Sequence, residues 1–465
     1  MAPHEVLENG IEGPKVFWRE EILKSRNAKH QGDLPCYLII DNKVYDVKDF
    51  LPDHPGGSVI LTRLGLDATD AFNNFHPSST NDLLANFYVG DVVSEDMHST
   101  KEGFTKEIRE IKELFKKLKY FESSKSYYFS KLFGNLGICA FSVGVLYIFG
   151  NSILGVLISA ALMALFWQQC GWLAHDILHH QLFDNRNYNN LMGCFVGSVC
   201  QGFDPCWWKD KHNTHHAAPN VHGQDPDINT HPILSWSEHA LTDLFDPKFS
   251  KENAKILPHW LVHLMVNYQT LSYFPILSGA RISWCIQSIL FILPNGQANQ
   301  PSRMPISNIQ RISLVLHYIW FGSITFFFID NWFLRFTFII AAQAICGLLL
   351  ALVFSLNHNG MKILTEEESL KMDFFVEQVI TGRDVITSNP ANQWIVDWFC
   401  GGLDYQIEHH IFPTIPRHHF HKIQPIIQSL CEKYKIPYHK TTFFEGTKEV
   451  FATLGTVSHV ASKKY

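Results

Sequence analysis

The sequence predicts a small α+β domain followed by an all-α membrane domain of four transmembrane helices in two hairpins, carrying a cytosolic, histidine-rich helical cap. Three observations predict this. Short apolar runs punctuated by turn residues fill the first hundred positions. Two long runs almost free of charge follow, each with a polar break near its middle. Histidines then cluster just beyond apolar or Trp-rich sequence instead of being spread along the chain.

Residues 14–100 are assigned to the small domain, with strands such as Tyr37–Ile40 and Lys43–Val47. Residues 101–130 read as an amphipathic helical linker. Phe104, Ile108, Ile111, Phe115 and Leu118 recur every three or four positions on a Lys/Glu-rich background, so they form one apolar stripe. That stripe is expected to lie on a membrane surface, with packing on a neighbouring domain as the alternative. Residues 131–440 form the membrane domain, and 441–465 a cytosolic tail.

From Leu132 to Ala174, 43 consecutive residues contain no Asp, Glu, Lys, Arg or His. One continuous helix of that length would reach about 64 Å, twice the roughly 30 Å of a hydrocarbon core. The run therefore crosses twice, turning at Gly150-Asn151. A second pair breaks at Asp330-Asn331, giving spans at about 132–149, 152–174, 312–329 and 333–356. Ile256–Ala280 is apolar as well, but Pro258, His259, His263, Asn267 and Pro275 interrupt it, and it reads as interfacial or re-entrant. An extra crossing there would put the later histidines on the opposite side from the earlier ones.

A net charge of −6 and the lack of a basic block leave nucleic acid without an electrostatic footprint. Ten cysteines show no C-x-x-C pair, and Cys194, Cys200 and Cys206 are expected to pack rather than react. No apolar stretch near the N-terminus resembles a cleavable signal, so both termini are expected in the cytosol.

Asp53-His54-Pro55-Gly56-Gly57 follows a strand-like segment, and Phe75-His76-Pro77 comes 22 residues later. Two neutral imidazoles from opposite loops suit a six-coordinate iron that passes electrons and binds no substrate. Phe72, Phe75 and Leu64 could wall the pocket. With Val44-Tyr45-Asp46-Val47 ahead of the HPGG turn, this stretch resembles the cytochrome b5 family over roughly 85 residues. The resemblance implies haem b with His54 and His76 as axial ligands. Asp41, Asp46, Asp49, Asp53, Asp67 and Asp70 could form a docking face for a basic reductase.

Three histidine boxes follow: His175-x3-His179-His180, His212-x2-His215-His216, and Gln406-x2-His409-His410. On a helix, positions i and i+4 share a face, so His175 converges with His179 and His212 with His216, His215 joining the second set. Eight imidazoles exceed what one tetrahedral zinc takes, and a nitrogen-rich set for two ions suits iron. These spacings resemble the membrane fatty-acid desaturase family, together with Trp207-Trp208-Lys209 and Asp225-Pro226-Asp227 around the second box. Gln406 opening the third box, and the fused haem domain, resemble its front-end branch. That resemblance makes His175, His179, His180, His212, His215, His216, His409 and His410 ligands of two non-haem irons. His358, in Asn357-His358-Asn359, is a further candidate ligand. Asn357 and Gln406 are expected to act through a bound water or by orienting ligands. His418, His419 and His421, beside Arg417 and Lys422, read as surface or supporting residues.

The same resemblance implies an O2-dependent desaturase that puts a cis double bond, Δ5 by preference, into a long-chain or polyunsaturated acyl chain. Electrons would come from NADH through cytochrome b5 reductase and the fused haem domain. Acyl-CoA and phospholipid both remain open as substrate, and the bilayer of the endoplasmic reticulum is the expected location. Δ6 desaturation of a fatty-acyl chain, Δ8 desaturation of a sphingolipid, acyl hydroxylation on the same scaffold, and a membrane-anchored electron carrier are the alternatives. Trp172, Phe203 and Trp394 are the candidate tunnel residues.

Overall fold

The computed structural model describes residues 15–29, 34–93, 102–245, 257–293 and 307–465. The small domain is built on a four-stranded sheet. Strands Tyr37–Ile40 and Lys43–Asp46 pair antiparallel, Tyr88–Val92 lies antiparallel beside the latter, and Val16–Phe17 adds a parallel edge. Asp41 and Asn42 both take positive φ (49° and 60°), which two-residue hairpin turns require. Leu38, Ile40, Tyr45, Val47 and Leu64 pack beneath the sheet. Leu64 is therefore part of this core, while Phe72 and Phe75 do line the cavity beside it.

Among the described residues, four helices are long and apolar enough to cross a membrane: Lys125–Phe149, Ile153–Leu178, Asn308–Phe328 and Trp332–His358. They start where side chains can cap them. Ser124, Ser152, Ser307 and Asn331 each accept from a backbone N–H of the first turn. Composition alone marked the apolar stretch, whereas caps and packing set the ends, so the helices overrun the expected spans. The second reaches past His175 and the fourth ends on His358. The two connections touch: Asn151 Nδ2 donates to Asp330 (2.8 Å), and a Cβ on Gly150 would stand 2.1 Å from the Phe328 carbonyl oxygen. Both turns thus sit at the end of the bundle away from His175 and His358.

The interrupted apolar segment folds as three helices, His259–Asn267, Gln269–Ser278 and Ala280–Ile292, the last two bent by 60°. Arg281 anchors the bend. Its fully buried guanidinium donates to the Gln201 carbonyl and to Gln343 (2.5 Å each) and lies 3.5 Å above the Trp167 ring. The segment set apart as a tail is mostly a packed helix, Phe443–Lys464, burying Val450, Leu454 and Val457.

The linker helix, Glu102–Lys117, corrects one expectation. Phe104, Ile108 and Phe115 are 1%, 0% and 0% exposed, and they pack on Ile411, Phe412 and Ile415, not on a membrane surface. An apolar stripe specifies burial without specifying the partner. Here it covers the third-box helix, with Phe115 and Phe412 edge-to-face at 5.5 Å.

Several polar contacts seat the small domain on the cap. Asp210 accepts from Ser58 N and Oγ (3.1 Å each), and Asn74 donates to the Ile411 carbonyl (2.8 Å). Arg63 pairs with buried Glu377 at 3.5 Å. Arg109 makes a two-pronged contact with Asp70 (2.8 and 3.0 Å). That contact takes Asp70 out of the expected acidic docking face, and Asp46 is occupied by the backbone N–H groups of Cys36 and Lys48.

Candidate metal and haem sites

The first box straddles a helix end. His175 lies in the last turns of the second span, His179 follows the helix, and His180 adopts φ 64°, which turns the chain away. The second box rides on helix Pro205–Ala217, which Asp204 starts by accepting from Cys206 N and Trp207 N (2.9 Å each), with Pro205 in the first turn. The third sits on Gln406–Ile411.

These elements bring eight imidazoles into two adjoining groups. His175, His179, His212, His216 and His409 form one, with ligand atoms all within 4.8 Å of one another. His215, His358 and His410 form the other. The His216 and His410 rings stack at 4.2 Å, joining the groups. All eight are buried. The i, i+4 pairs converge as expected, each with ring centroids 4.6 Å apart. His215, expected with its own box, instead joins His358 and His410.

His180 stands apart. Its Nε2 lies 3.5 Å from Lys209 Nζ, and it belongs to neither group. Asn357 donates to Gln406 (3.0 Å), whose amide nitrogen lies 2.7 Å from His358 Nε2, so both flank the smaller group. His418 and His419 lie against Tyr127 and Tyr120. Trp394 is 67% exposed, whereas Trp172 is buried and bonds the Phe399 carbonyl.

The nitrogen geometry is what bound ions would produce. His216 Nε2 lies 3.0 Å from His212 Nε2 and 3.1 Å from His409 Nε2; His358 Nε2 lies 3.0 Å from His410 Nε2 and 3.2 Å from His215 Nε2. Two nitrogens bound side by side at about 2.1 Å from one ion stand about 3.0 Å apart. His175 Nε2 and His179 Nε2 are buried with no hydrogen-bond partner.

Supporting groups fix the rings from behind. His358 Nδ1 faces the Thr381 carbonyl (2.9 Å), which only accepts, so Nδ1 carries the proton and Nε2 is bare. His410 Nδ1 meets Gln378 (2.8 Å), and His215 Nδ1 meets Asp225 (2.9 Å). His175 Nδ1 lies 3.2 Å from Asp176, which pairs with buried Arg417 at 2.9 Å. Gln378 and Thr381 carry no sequence signal. Asp225 did carry one, as an acid shortly after a histidine box, but its role emerges only from the contact.

Burial, followed by the repulsion of neighbouring imidazoles, holds His179, His212, His216, His409 and His410 well below the ordinary histidine range. These rings stay neutral, the form that binds metal. His215 differs: burial lowers it, but the Asp225 and Asp227 carboxylates outweigh that and push it up to about 9.

A second site lies beside the first. His54 and His76 face each other across a cavity of about 500 Å³, ring centroids 6.1 Å apart. Each turns Nδ1 to a backbone carbonyl, Gly57 at 3.0 Å and Phe72 at 3.1 Å, so each leaves Nε2 bare for a ligand bond. Gly56 is required by the His54 ring itself, whose Cε1 would lie 2.7 Å from an added Cβ. The apolar walls and paired imidazoles fit a haem. Phe75, adjacent to His76, sets its ring 6.4 Å from that of His216, and His179 of the larger group itself lines the cavity, so the two sites adjoin.

Comparison with known proteins matches both domains. Residues 151–442 match the fatty acid desaturase family, and residues 23–93 match the cytochrome b5-like heme/steroid binding domain. The chain is 37% identical to an acyl-lipid (9-3)-desaturase of Physcomitrium patens, over 95% of this chain and 79% of that protein. It is 32% identical to the Delta(6)-fatty-acid desaturase fat-3 of Caenorhabditis elegans (88% and 93% covered) and 29% identical to the Delta(5) fatty acid desaturase fat-4 of the same organism (94% and 98%).

Proposed function

Because the chain belongs to the fatty acid desaturase family and carries a haem-binding cytochrome b5 domain ahead of its desaturase domain, we propose that it is a front-end desaturase placing a cis double bond at Δ5 of a polyunsaturated acyl chain. The observation that carries the desaturase reading is the meeting of eight buried imidazoles in two groups that adjoin the haem cavity. The (9-3)-desaturase and fat-3 are more similar to this chain than fat-4 is, and a Delta(8)-fatty-acid desaturase of Arabidopsis thaliana is 30% identical, which favours a second reading, entry of the bond at Δ6 or Δ8.

In this reading His175, His179, His212, His216 and His409 hold one iron, and His215, His358 and His410 the other. Asn357 and Gln406 orient the second set, and His54 and His76 ligate haem. His180 is assigned no iron. The chemistry these groups supply when bound is one-electron delivery by haem and O2-dependent removal of two vicinal hydrogens by iron. The balance is one acyl CH2–CH2, O2, two electrons and two protons giving CH=CH and two waters.

The protein's part is positional. Asp225, Thr381 and Gln378 keep each Nε2 aimed inward, and the linker helix and third-box helix exclude water. The touching turns at one bundle end and the histidines at the other support two side-by-side hairpins. Both histidine groups would then face the cytosol in the endoplasmic reticulum membrane, within reach of cytochrome b5 reductase fed by NADH. The 60° bend, with Asp204 N bonded to Ser288 Oγ and Arg281 tied to Gln201, supports a re-entrant segment held against the cap.

The test is expression in a host without polyunsaturates, fed C18 and C20 acids, with double bonds located by mass spectrometry. A product with a new bond at carbon 5 supports the first reading, and one at carbon 6 or 8 replaces it with the second. A product that retains an oxygen atom would mean hydroxylation, and no new product from any acid would sink the proposal.

A further inference from the structure

The cavity between His54 and His76 is walled by two domains of opposite character. The haem domain contributes an almost wholly apolar face, including Val47, Phe50, Phe72 and Leu84. The desaturase domain contributes a polar face with two cations, Arg186 and Lys209. No Asp or Glu lines the cavity, and neither cation forms an ion pair among the described residues. Arg186 Nη2 donates to the Phe75 carbonyl (2.9 Å) and Lys209 Nζ to Asn190 (2.6 Å), which leaves further donors on both. The third cation there, Arg63, is already engaged by Glu377 and by the Ala217 carbonyl.

Half-buried cations are costly unless an anion compensates them. Burial has driven the Lys209 ammonium down to about 8, and no carboxylate acts on it. Haem b is an apolar macrocycle with two carboxylates on one edge. It matches a cavity that is apolar on one side and doubly cationic on the other, and its charge cancels that of the two side chains.

We propose that Arg186 and Lys209 of the desaturase domain bind the two haem propionates, so that the haem site is completed across the domain boundary. This rests on the assignment of the cavity to haem. It has two consequences. The orientation of the macrocycle is set by the domain that receives its electrons, and haem strengthens the docking of the two domains, because only the docked form offers both cations.

The experiment uses the full-length chain and its R186Q and K209Q variants, loaded with haem b or with haem dimethyl ester, whose propionates carry no charge. Release to apomyoglobin is followed by absorbance, and the midpoint potential by redox titration. With haem b, release is expected to be about tenfold faster for each cation removed, the factor that a charge-assisted hydrogen bond of ordinary strength supplies. The potential should move to more negative values, since an uncompensated propionate favours the oxidised haem. With the dimethyl ester, wild type and variants should release at one rate.

Wild-type release of haem b by both variants would overturn the proposal. So would faster release that persists with the ester, because that reports damage to the fold. A rise in KM for the acyl substrate with unchanged haem release would assign the cations to an anionic substrate headgroup instead. A wild-type chain without six-coordinate haem absorbance would overturn the haem assignment along with it.

Discussion

Replacing Asp225 by Asn tests whether His215 is held as an iron ligand. The carboxylate is fully buried; Oδ2 accepts from His215 Nδ1 (2.9 Å) and Asn220 N (2.7 Å), and Oδ1 from Asp227 N (2.8 Å). An amide has one acceptor, so at least one of these donors must face an NH2 group, a loss of about 1–3 kcal/mol for a buried donor. If that donor is the imidazole, the ring's proton moves to Nε2 and blocks the nitrogen that faces His358 and His410. Losing a partner of this kind weakens metal binding about 10- to 100-fold, or about 1.4–2.7 kcal/mol. The carboxylates also raise His215 to about 9, so at neutral pH the iron-free ring is protonated and iron binding must expel that proton. Iron retention in the wild type should therefore strengthen as pH rises toward 9, and this dependence should fade in D225N. The assay is non-haem iron per haem after dialysis against a chelator at several pH values, with the haem spectrum as the control for folding. Wild-type iron retention by D225N at every pH would refute the reasoning.

Phe115→Ala removes a fully buried ring from the contact with Phe412 and should cost about 3–5 kcal/mol, seen as a lower melting temperature; a loss below about 1 kcal/mol would restore the membrane-surface reading. Asp204 is fully buried with Oδ2 unpartnered, and burial pushes its carboxyl up to about 6 from 3.8. Its contribution is thus fully present below pH 3.8 and lost as pH rises through 6, by at most about 3 kcal/mol. D204N, which can still cap the second-box helix through Oδ1, should flatten the fall in melting temperature between pH 4 and 7. Gly401 has φ 64°, and a Cβ there would stand 2.4 Å from Trp172 Cβ, so Gly401→Ala should lower stability by at least about 1–3 kcal/mol and disturb Arg417 beneath the first box.

The long apolar helices were legible because 43 uncharged residues are about twice what one helix needs to cross a hydrocarbon core, so a break near the middle was required. His175/His179 and His212/His216 were legible because i, i+4 geometry is local. The division of the imidazoles into five and three was not. It depends on where the fourth span ends, which brings His358 in, and on the third box placing His409 and His410 in different groups at ring centroids 5.8 Å apart. His180 shows the limit of spacing in the other direction: one residue with φ 64° turns it from the group its neighbour joins. The linker stripe was readable as amphipathic, but its partner is the third-box helix some 300 residues away, and no local pattern carries that information.

The docking of the haem domain also constrains how electrons must travel. One side of the haem cavity is closed by desaturase residues, and Asn74, Ser58, Arg63 and Arg109 fasten that closure with contacts from four separate parts of the chain. A reductase therefore cannot use this side while the domain is docked. Asp70 is taken up by Arg109 and Asp67 by Thr69 and Arg19, whereas Asp41, Asp49 and Asp53 remain exposed and are the acids left to meet a basic partner. If they do so, electrons enter by one face and leave by Phe75 toward His216 on the other, and no swing of the domain is needed in each turnover. A covalent cross-link across the Ser58–Asp210 contact separates the alternatives. Turnover driven by reductase should survive it if the faces are distinct, and should stop if the haem must undock to be reduced.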